Sequence, residues 1–368
     1  MFMGKAEFSM HFETVSYLSD EGQLVAGFQN TLSDDALVNG YKAMLLTRLV
    51  DEKMITLQRQ GQVSFALSSL GEEACAVATA AALDPGDWIY PQYRELGVMF
   101  WRGLSVQDYV DHMFGNANDI IKGRQMPNHF GSRKLNVVTV SSPLGTKIPH
   151  TAGCAYAMKV LKEPTIALCF FGEGAASEGD FHAGLNFAAV KRAPAIFFCR
   201  NNGYAISTAL KDQFTPQGIA RRGVAYGMET IRVDGNDYFA VYETVKKARE
   251  YCLEGNGPVL IEAMTYRMGA HSTSDDPSRY RQEKEVEEWK KKDPLKRLKK
   301  FMEKKGIWDD KREQETVKAY AGMISKAIEV SKNVGKPPLK TLVEDVYFEM
   351  TPTLKEQYEE LKRFFPEG

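Results

Sequence analysis

The chain has 368 residues, enough for a large core, and its 43% hydrophobic and 26% charged content is that of an ordinary soluble globular protein. A formal net charge of −1 argues against a nucleic-acid-binding or membrane-surface protein. No apolar run reaches the roughly 18 residues that a bilayer span needs.

Residues 1–32 are weakly periodic and carry neither the apolar core of a secretory signal nor the Arg-rich pattern of a transit peptide. They read as an arm on a larger body. Ser33 is a candidate N-cap, with Asp34 and Asp35 in the first turn, and Leu37, Tyr41, Met44 and Leu45 keep helical spacing until Gly61. Glu72 to Leu83 is a helix made largely of alanine, and Trp88-Ile89-Tyr90 is a short strand after the Asp84-Pro85-Gly86-Asp87 turn. Ser105 with Asp108 resembles a capping box opening a helix that ends near Gly115. Residues 123–144 hold few periodic apolar positions and read as an ordered binding loop. Strands are expected at 166–171, 195–199 and 259–263, with a helix from Asp180 to Arg192 between the first two. His271 to Arg281 is a polar loop, expected to be mobile without ligand. From Glu283 the chain turns helical and charged. Lys290 to Lys305 has nine Lys/Arg against two acids, with Leu295, Leu298, Phe301 and Met302 on one face, the pattern of a solvated amphipathic helix. The expected division is an arm (1–32), an α/β domain (33–282) and a helical extension (283–368).

Cys75, Cys154, Cys169, Cys199 and Cys252 are scattered and contain no Cys-x-x-Cys pair, so they read as reduced thiols in a reducing, cytoplasm-like compartment. There is no Gly-Lys-Ser/Thr phosphate loop and no Gly-x-Ser-x-Gly elbow, and none of the six histidines forms a His-x-x-x-His pair. Gly172-x-Gly174 also lacks the third glycine of the dinucleotide fingerprint. Serine-hydrolytic, zinc-hydrolytic and hydride-transfer chemistries are each disfavoured.

What remains is Phe170-Phe171-Gly172-Glu173-Gly174, and then Arg200-Asn201-Asn202-Gly203-Tyr204 at the end of the next strand. A right-handed crossover brings both strand ends to one edge of a parallel sheet, where α/β proteins bind ligands. A carboxylate and an amide oxygen converging there suit a hard divalent cation that shares oxygens with a diphosphate.

Gly172-Glu173-Gly174…Asn202 resembles the thiamine-diphosphate motif, usually Gly-Asp-Gly followed by a run ending in Asn-Asn. The longer strings Gly-Glu-Gly-Ala-Ala-Ser-Glu-Gly-Asp from Gly172 and Asn-Asn-Gly-Tyr-Ala-Ile-Ser from Asn201 narrow the resemblance. They are similar to the alpha subunits of the decarboxylating component of branched-chain 2-oxo acid dehydrogenases, over about Leu37 to Met350. The fold this implies is α/β, a doubly wound parallel sheet of the thiamine-diphosphate-binding type. Mg²⁺ would be held by the Glu173 carboxylate, the Asn202 side-chain oxygen and the Tyr204 carbonyl, with Glu173 where many members have Asp. The cofactor would be met by Gln92, Tyr93, Arg94, Arg200 and His271, by the turn Gly172, Glu173, Gly174 and Ala175, and by Ser142 and Leu144 under its aminopyrimidine. The 2-oxo acid would meet Phe65, Tyr93, Met126, His129 and Ser142. His271 and His129 are the implied catalytic side chains.

The family's second, pyrimidine-binding domain is not seen in this chain. The resemblance therefore implies a separate beta subunit, a heterotetramer of two alpha and two beta chains, and a lipoyl-bearing transacylase that accepts the acyl group. The implied compartment is the cytoplasm of a bacterium, or the mitochondrial matrix for a processed eukaryotic chain. Animal members hold potassium with the stretch matching Ser141–Thr146 and the next residue, which here is Lys147; Ser272 matches a regulatory phosphorylation position of eukaryotic relatives. Two other readings stand beside this one. The first is a pyruvate or acetoin dehydrogenase alpha subunit; the second, of a different class, is a non-catalytic nucleotide-binding subunit.

Overall fold

Two apolar runs with no polar residue to turn outward must be covered on both faces, and they form the centre of the sheet. The structure is a computed structural model that describes residues 12–214 and 218–365. Its strands are β1 (Thr14–Val15), β2 (Trp88–Tyr90), β3 (Ala167–Gly172), β4 (Ala195–Asn201), β5 (Tyr204–Ala205), β6 (Thr208–Ala209), β7 (Glu229–Asp234) and β8 (Val259–Met264). Six of them make one sheet in the order β1-β7-β8-β4-β3-β2, every neighbouring pair parallel, while β5 and β6 form a separate antiparallel hairpin.

Period-two alternation divides the core. Leu168, Phe170, Ile196, Phe198 and Ile261 face one cluster, shared with helices Asp34–Arg59, Glu73–Ala82 and Tyr238–Leu253. Cys169, Phe171, Phe197, Cys199 and Leu260 face the other, with helices Lys147–Leu161 and Gly179–Lys191. This is the doubly wound parallel sheet expected from the sequence.

Local signals hold at the helix ends. Ser33 Oγ accepts from the Ala36 amide at 3.2 Å, and Ser105 Oγ accepts from Asp108 N at 3.0 Å. The helix that Ser105 opens ends at Gly115 in the left-handed conformation, φ 57°. The helices Lys147–Leu161 and Tyr238–Leu253 and the strand β7 have no counterpart in the sequence reading.

The arm also differs. Residues 1–11 lie outside the described residues, but Thr14 and Val15 pair with Arg232 and Val233 as an edge strand. Two buried side chains tie it down. Asp237 caps its helix through Oδ1 and accepts from Leu18 N at 2.6 Å through Oδ2. Arg297 reaches back from the charged helix Pro294–Lys304 to Asp234 at 2.8 Å and to the Leu18 carbonyl. Leu295, Leu298 and Met302 of that helix are buried, as the amphipathic pattern implies; a buried Arg297 is not what a solvated face implies.

Candidate active site

Parallel pairing sets Gly172 opposite Arg200 and Asn201 opposite Met264, so the carboxyl ends of β3, β4 and β8 finish together. β2 ends at the same edge, with Tyr90 opposite Cys169. The segments leaving these tips, 91–94 after β2, 173–177 after β3, 202–204 after β4 and 265–271 after β8, wall one cavity of about 460 Å³. Every site residue expected from the sequence lines it. Glu173, Asn202, Tyr204, Gly172, Gly174 and Ala175 form the floor, and Gln92, Tyr93, Arg94, Arg200 and His271 one side. Phe65, Met126, His129, Ser142 and Leu144 lie on the other.

At the floor, Glu173 opens a 3-10 turn, and its Oε2 accepts from the Asn202 amide at 3.2 Å. Its Oε1 is buried with no hydrogen-bond partner, and burial holds the carboxyl above the usual carboxylate range. The two asparagines turn opposite ways: Asn201 donates to Glu262 at 2.8 Å, and Asn202 donates through Nδ2 to Glu72 at 2.9 Å. Both Asn202 and Tyr204 line the cavity; Asn202 Oδ1 accepts from Tyr204 N at 3.3 Å and the Tyr204 carbonyl accepts from Arg267 at 3.3 Å. Gly174 has a steric reason, because a Cβ there would lie 2.6 Å from the Ala205 Cβ of the β5–β6 hairpin.

Charge on the wall is arranged in layers. Gln92 accepts from Gly172 N at 2.8 Å and so locks the β2 loop to β3. Arg94, whose pKa burial lowers, donates to the His271 carbonyl at 2.6 Å. Arg200 is clamped between Glu72 and Glu95, the second at 2.7 Å. Burial lowers its pKa, but the Glu95 and Glu72 carboxylates more than reverse this and keep it charged. The sequence reading gave Arg200 to a ligand; in the structure its two terminal nitrogens are taken by the protein. His271 is pushed down to about 4 by burial, then by Arg94 and Arg267, so its ring is neutral at neutral pH. The segment after it is tied more firmly than its composition implies: Asp275 accepts from His271 N at 2.7 Å and from the Tyr280 hydroxyl at 2.5 Å.

Opposite, Asn128 sits at φ 67°, a left-handed conformation that asparagine tolerates, and accepts from Leu67 N at 3.0 Å. That contact joins the Phe65–Leu67 wall to the loop carrying His129. Leu67 and Ile206 enlarge the apolar side beyond Phe65, Met126 and Leu144. Lys147 donates to the Thr139 carbonyl at 2.5 Å beneath the Ser142–Leu144 turn. Sequence reasoning missed Glu72, Glu95, Leu67 and Arg267 as site residues, and it used Ile206 only as part of a string. No spacing signals Glu72 and Glu95, because each reaches the site through Arg200, distant in sequence, whereas Leu67 and Ile206 follow closely on Phe65 and Tyr204.

Among the described residues no group of three or more His, Cys, Asp or Glu is set to hold a metal. Glu173 is the single acid of the expected set. The fit is therefore to a cation that arrives with an anion: one orphaned carboxylate oxygen, two neutral oxygens, and Arg94 and Arg267 within the same walls.

Residues 41–340 match the family described as Dehydrogenase E1 component. The 2-oxoisovalerate dehydrogenase subunit alpha, mitochondrial, of Dictyostelium discoideum is 49% identical over 331 residues, 89% of this chain and 75% of that protein. The Bos taurus protein of the same name is 46% identical over 345 residues, 93% of this chain and 76% of its own. The alpha 2 protein of Arabidopsis thaliana is 46% identical over 342 residues, 92% of this chain and 72% of its own. Since the matched span 41–340 contains every cavity residue from Phe65 to His271, this chain belongs to the dehydrogenase E1 component family in the very part that carries the site.

Proposed function

We propose that this chain is the alpha subunit of a branched-chain 2-oxo acid dehydrogenase, which with a beta subunit decarboxylates branched-chain 2-oxo acids and reductively acylates the lipoyl group of a transacylase. The observation that carries the reading is one cavity lined by an unpartnered buried Glu173 oxygen and by apolar side chains, in a chain whose relatives are named 2-oxoisovalerate dehydrogenase alpha subunits. The family is thiamine-diphosphate dependent, and when bound that cofactor supplies a carbanion nucleophile and an electron sink.

Glu173 Oε1, Asn202 Oδ1 and the Tyr204 carbonyl would hold Mg²⁺. Burial disfavours the ionised Glu173 carboxylate and a cation beside it would offset that cost, which would couple metal and anion binding. Arg94 and the neutral His271 ring would meet the diphosphate side, with Gln92, Tyr93 and Ala175 shaping the walls. Arg200 would act at one remove, as a charge fixed behind them. Leu144 and Ser142 would support the aminopyrimidine. Phe65, Met126 and Leu67 would enclose the branched alkyl group. His129 holds its Nδ1 hydrogen on the Pro127 carbonyl at 2.9 Å, so its free acceptor is Nε2, now filled by Ser142. It can take a proton at Nε2 once Ser142 turns away.

Met126 and Leu144 are 42% and 38% exposed at the cavity mouth, apolar surface that the beta subunit would cover in the two-alpha, two-beta assembly. The relatives' names support the mitochondrial compartment over the cytoplasmic one.

The test is turnover of 3-methyl-2-oxobutanoate against pyruvate by the alpha–beta assembly. Preference for pyruvate would move the chain to the pyruvate or acetoin branch. A non-catalytic nucleotide-binding subunit would instead bind ADP or GDP in calorimetry and ignore thiamine diphosphate.

A further inference from the structure

Glu72 is 1% exposed and heads the alanine-rich helix, far from the Gly172–Gly174 turn in sequence. Its two oxygens have different partners: Oε2 accepts from Arg200, and Oε1 accepts from Asn202 Nδ2 at 2.9 Å. The Arg200 contact does not by itself explain a second buried acid, because Glu95 already pairs with that guanidinium at 2.7 Å. The contact with Asn202 has a separate consequence. A carboxamide has two ends of nearly equal shape, and only the oxygen can ligate a cation. Asn202 is 6% exposed, so water does not select its orientation. Among the described residues the only other hydrogen bond to its side chain is from Tyr204 N to Oδ1 at 3.3 Å, a long one. An ionised carboxylate accepts and never donates, so it can face only the NH₂ end.

We infer that Glu72 is a positioning residue: it holds the Asn202 amide with Nδ2 turned inward and Oδ1 turned to the Glu173 side, making a metal ligand out of a group that could present either end. The inference rests on the metal reading proposed above and adds to it a residue that touches neither metal nor cofactor. The expected magnitude is that of other groups that orient a ligand, about 10- to 100-fold in metal affinity.

The experiment is Mn²⁺ titration by electron paramagnetic resonance on the alpha–beta assembly with thiamine diphosphate, with melting temperature followed in parallel. Glu72→Gln keeps the shape but can donate to Asn202 Oδ1 and let the amide turn over, so Mn²⁺ affinity falls by about 10-fold or more. Adding Asn202→Asp restores it, since the amide introduced by E72Q then donates to one carboxylate oxygen and the other faces the metal. An unchanged affinity in E72Q overturns the inference. So does a double variant that binds, or assembles, no better than E72Q, because a purely structural acid would not be rescued by that change. Glu173→Ala separates the two levels. Mn²⁺ binding that survives E173A sinks the metal site itself, whereas binding lost in E173A and kept in E72Q sinks only the role of Glu72.

Discussion

The Ser142 hydroxyl lies 2.5 Å from Nε2 of His129, while Nδ1 of the same ring lies 2.9 Å from the Pro127 carbonyl. A carbonyl only accepts, so Nδ1 carries the ring hydrogen and Nε2 receives the hydrogen bond from Ser142. Burial lowers the ring's pKa, and the neutral form is the one this geometry supports.

Removing the Ser142 donor should therefore raise the His129 pKa. In Ser142→Ala the loss of one hydrogen bond to the neutral ring, about 1 kcal/mol, corresponds to a rise of roughly 0.7 pH unit. Histidine-selective NMR titration reads this directly. A fall in pKa would show that the protonated ring donates to Ser142 instead.

Ile206 and Ser207 are the two-residue turn between β5 and β6, and Ile206 has φ 57°. Glycine is the usual residue where such a turn needs positive φ, and a β-branched residue is strained there. The side chain is 52% exposed, so little burial is lost on removing it. Ile206→Gly should stabilise the chain by about 1 kcal/mol after allowing for the freer unfolded glycine. A lower urea midpoint would mean that the side chain is engaged in the assembly strongly enough to offset its strain.

Asp51 is buried, and its Oδ2 accepts from Ser69 N at 2.7 Å and Ser69 Oγ at 2.5 Å. Burial raises its pKa to about 7, with the Ser69 hydrogen bonds opposing. Its folded pKa lies above the unfolded value, so this group's stabilising effect is complete below about pH 4 and is lost as pH rises through 7. Between pH 5 and 7 the loss is on the order of 2 kcal/mol. Asp51→Asn keeps an acceptor for both Ser69 donors, so it should flatten that part of the stability–pH curve. Parallel curves for the two proteins would refute the assignment.

The two glycines flanking Glu173 should respond differently to alanine. At Gly174 the added Cβ meets Ala205 Cβ at 2.6 Å, whereas at Gly172 the nearest atom lies at 3.9 Å. Gly174→Ala should destabilise by about 1–3 kcal/mol and weaken magnesium-dependent cofactor binding, with Gly172→Ala near wild type in space if not in backbone freedom. Melting curves with and without ligand compare the pair. Equal effects would remove the close approach of the hairpin as the cause.

Much of this protein was legible along the chain because its signals are local. Continuous apolar runs marked β3, β4 and β8, Ser33 and Ser105 marked helix starts, and the Gly-Glu-Gly and Asn-Asn segments marked strand tips. Such features repeat at the period of a helix or strand, or stand at its end, so neighbours in sequence reveal them. The helix Tyr238–Leu253 was less visible, since it mixes apolar, charged and tyrosine positions and is buried by its packing rather than marked by its pattern.

Folding alone decided how the tips are wired. Glu72 meets Asn202 130 residues away, Arg94 meets His271 177 residues away, and Arg297 crosses 279 residues to reach Leu18. Polar groups find such partners by direction and distance in a buried, low-dielectric interior, where an unmatched donor or charge is costly. No periodicity along a chain encodes that matching. It arises only when parallel strands bring their ends to one edge and the side chains there must satisfy one another.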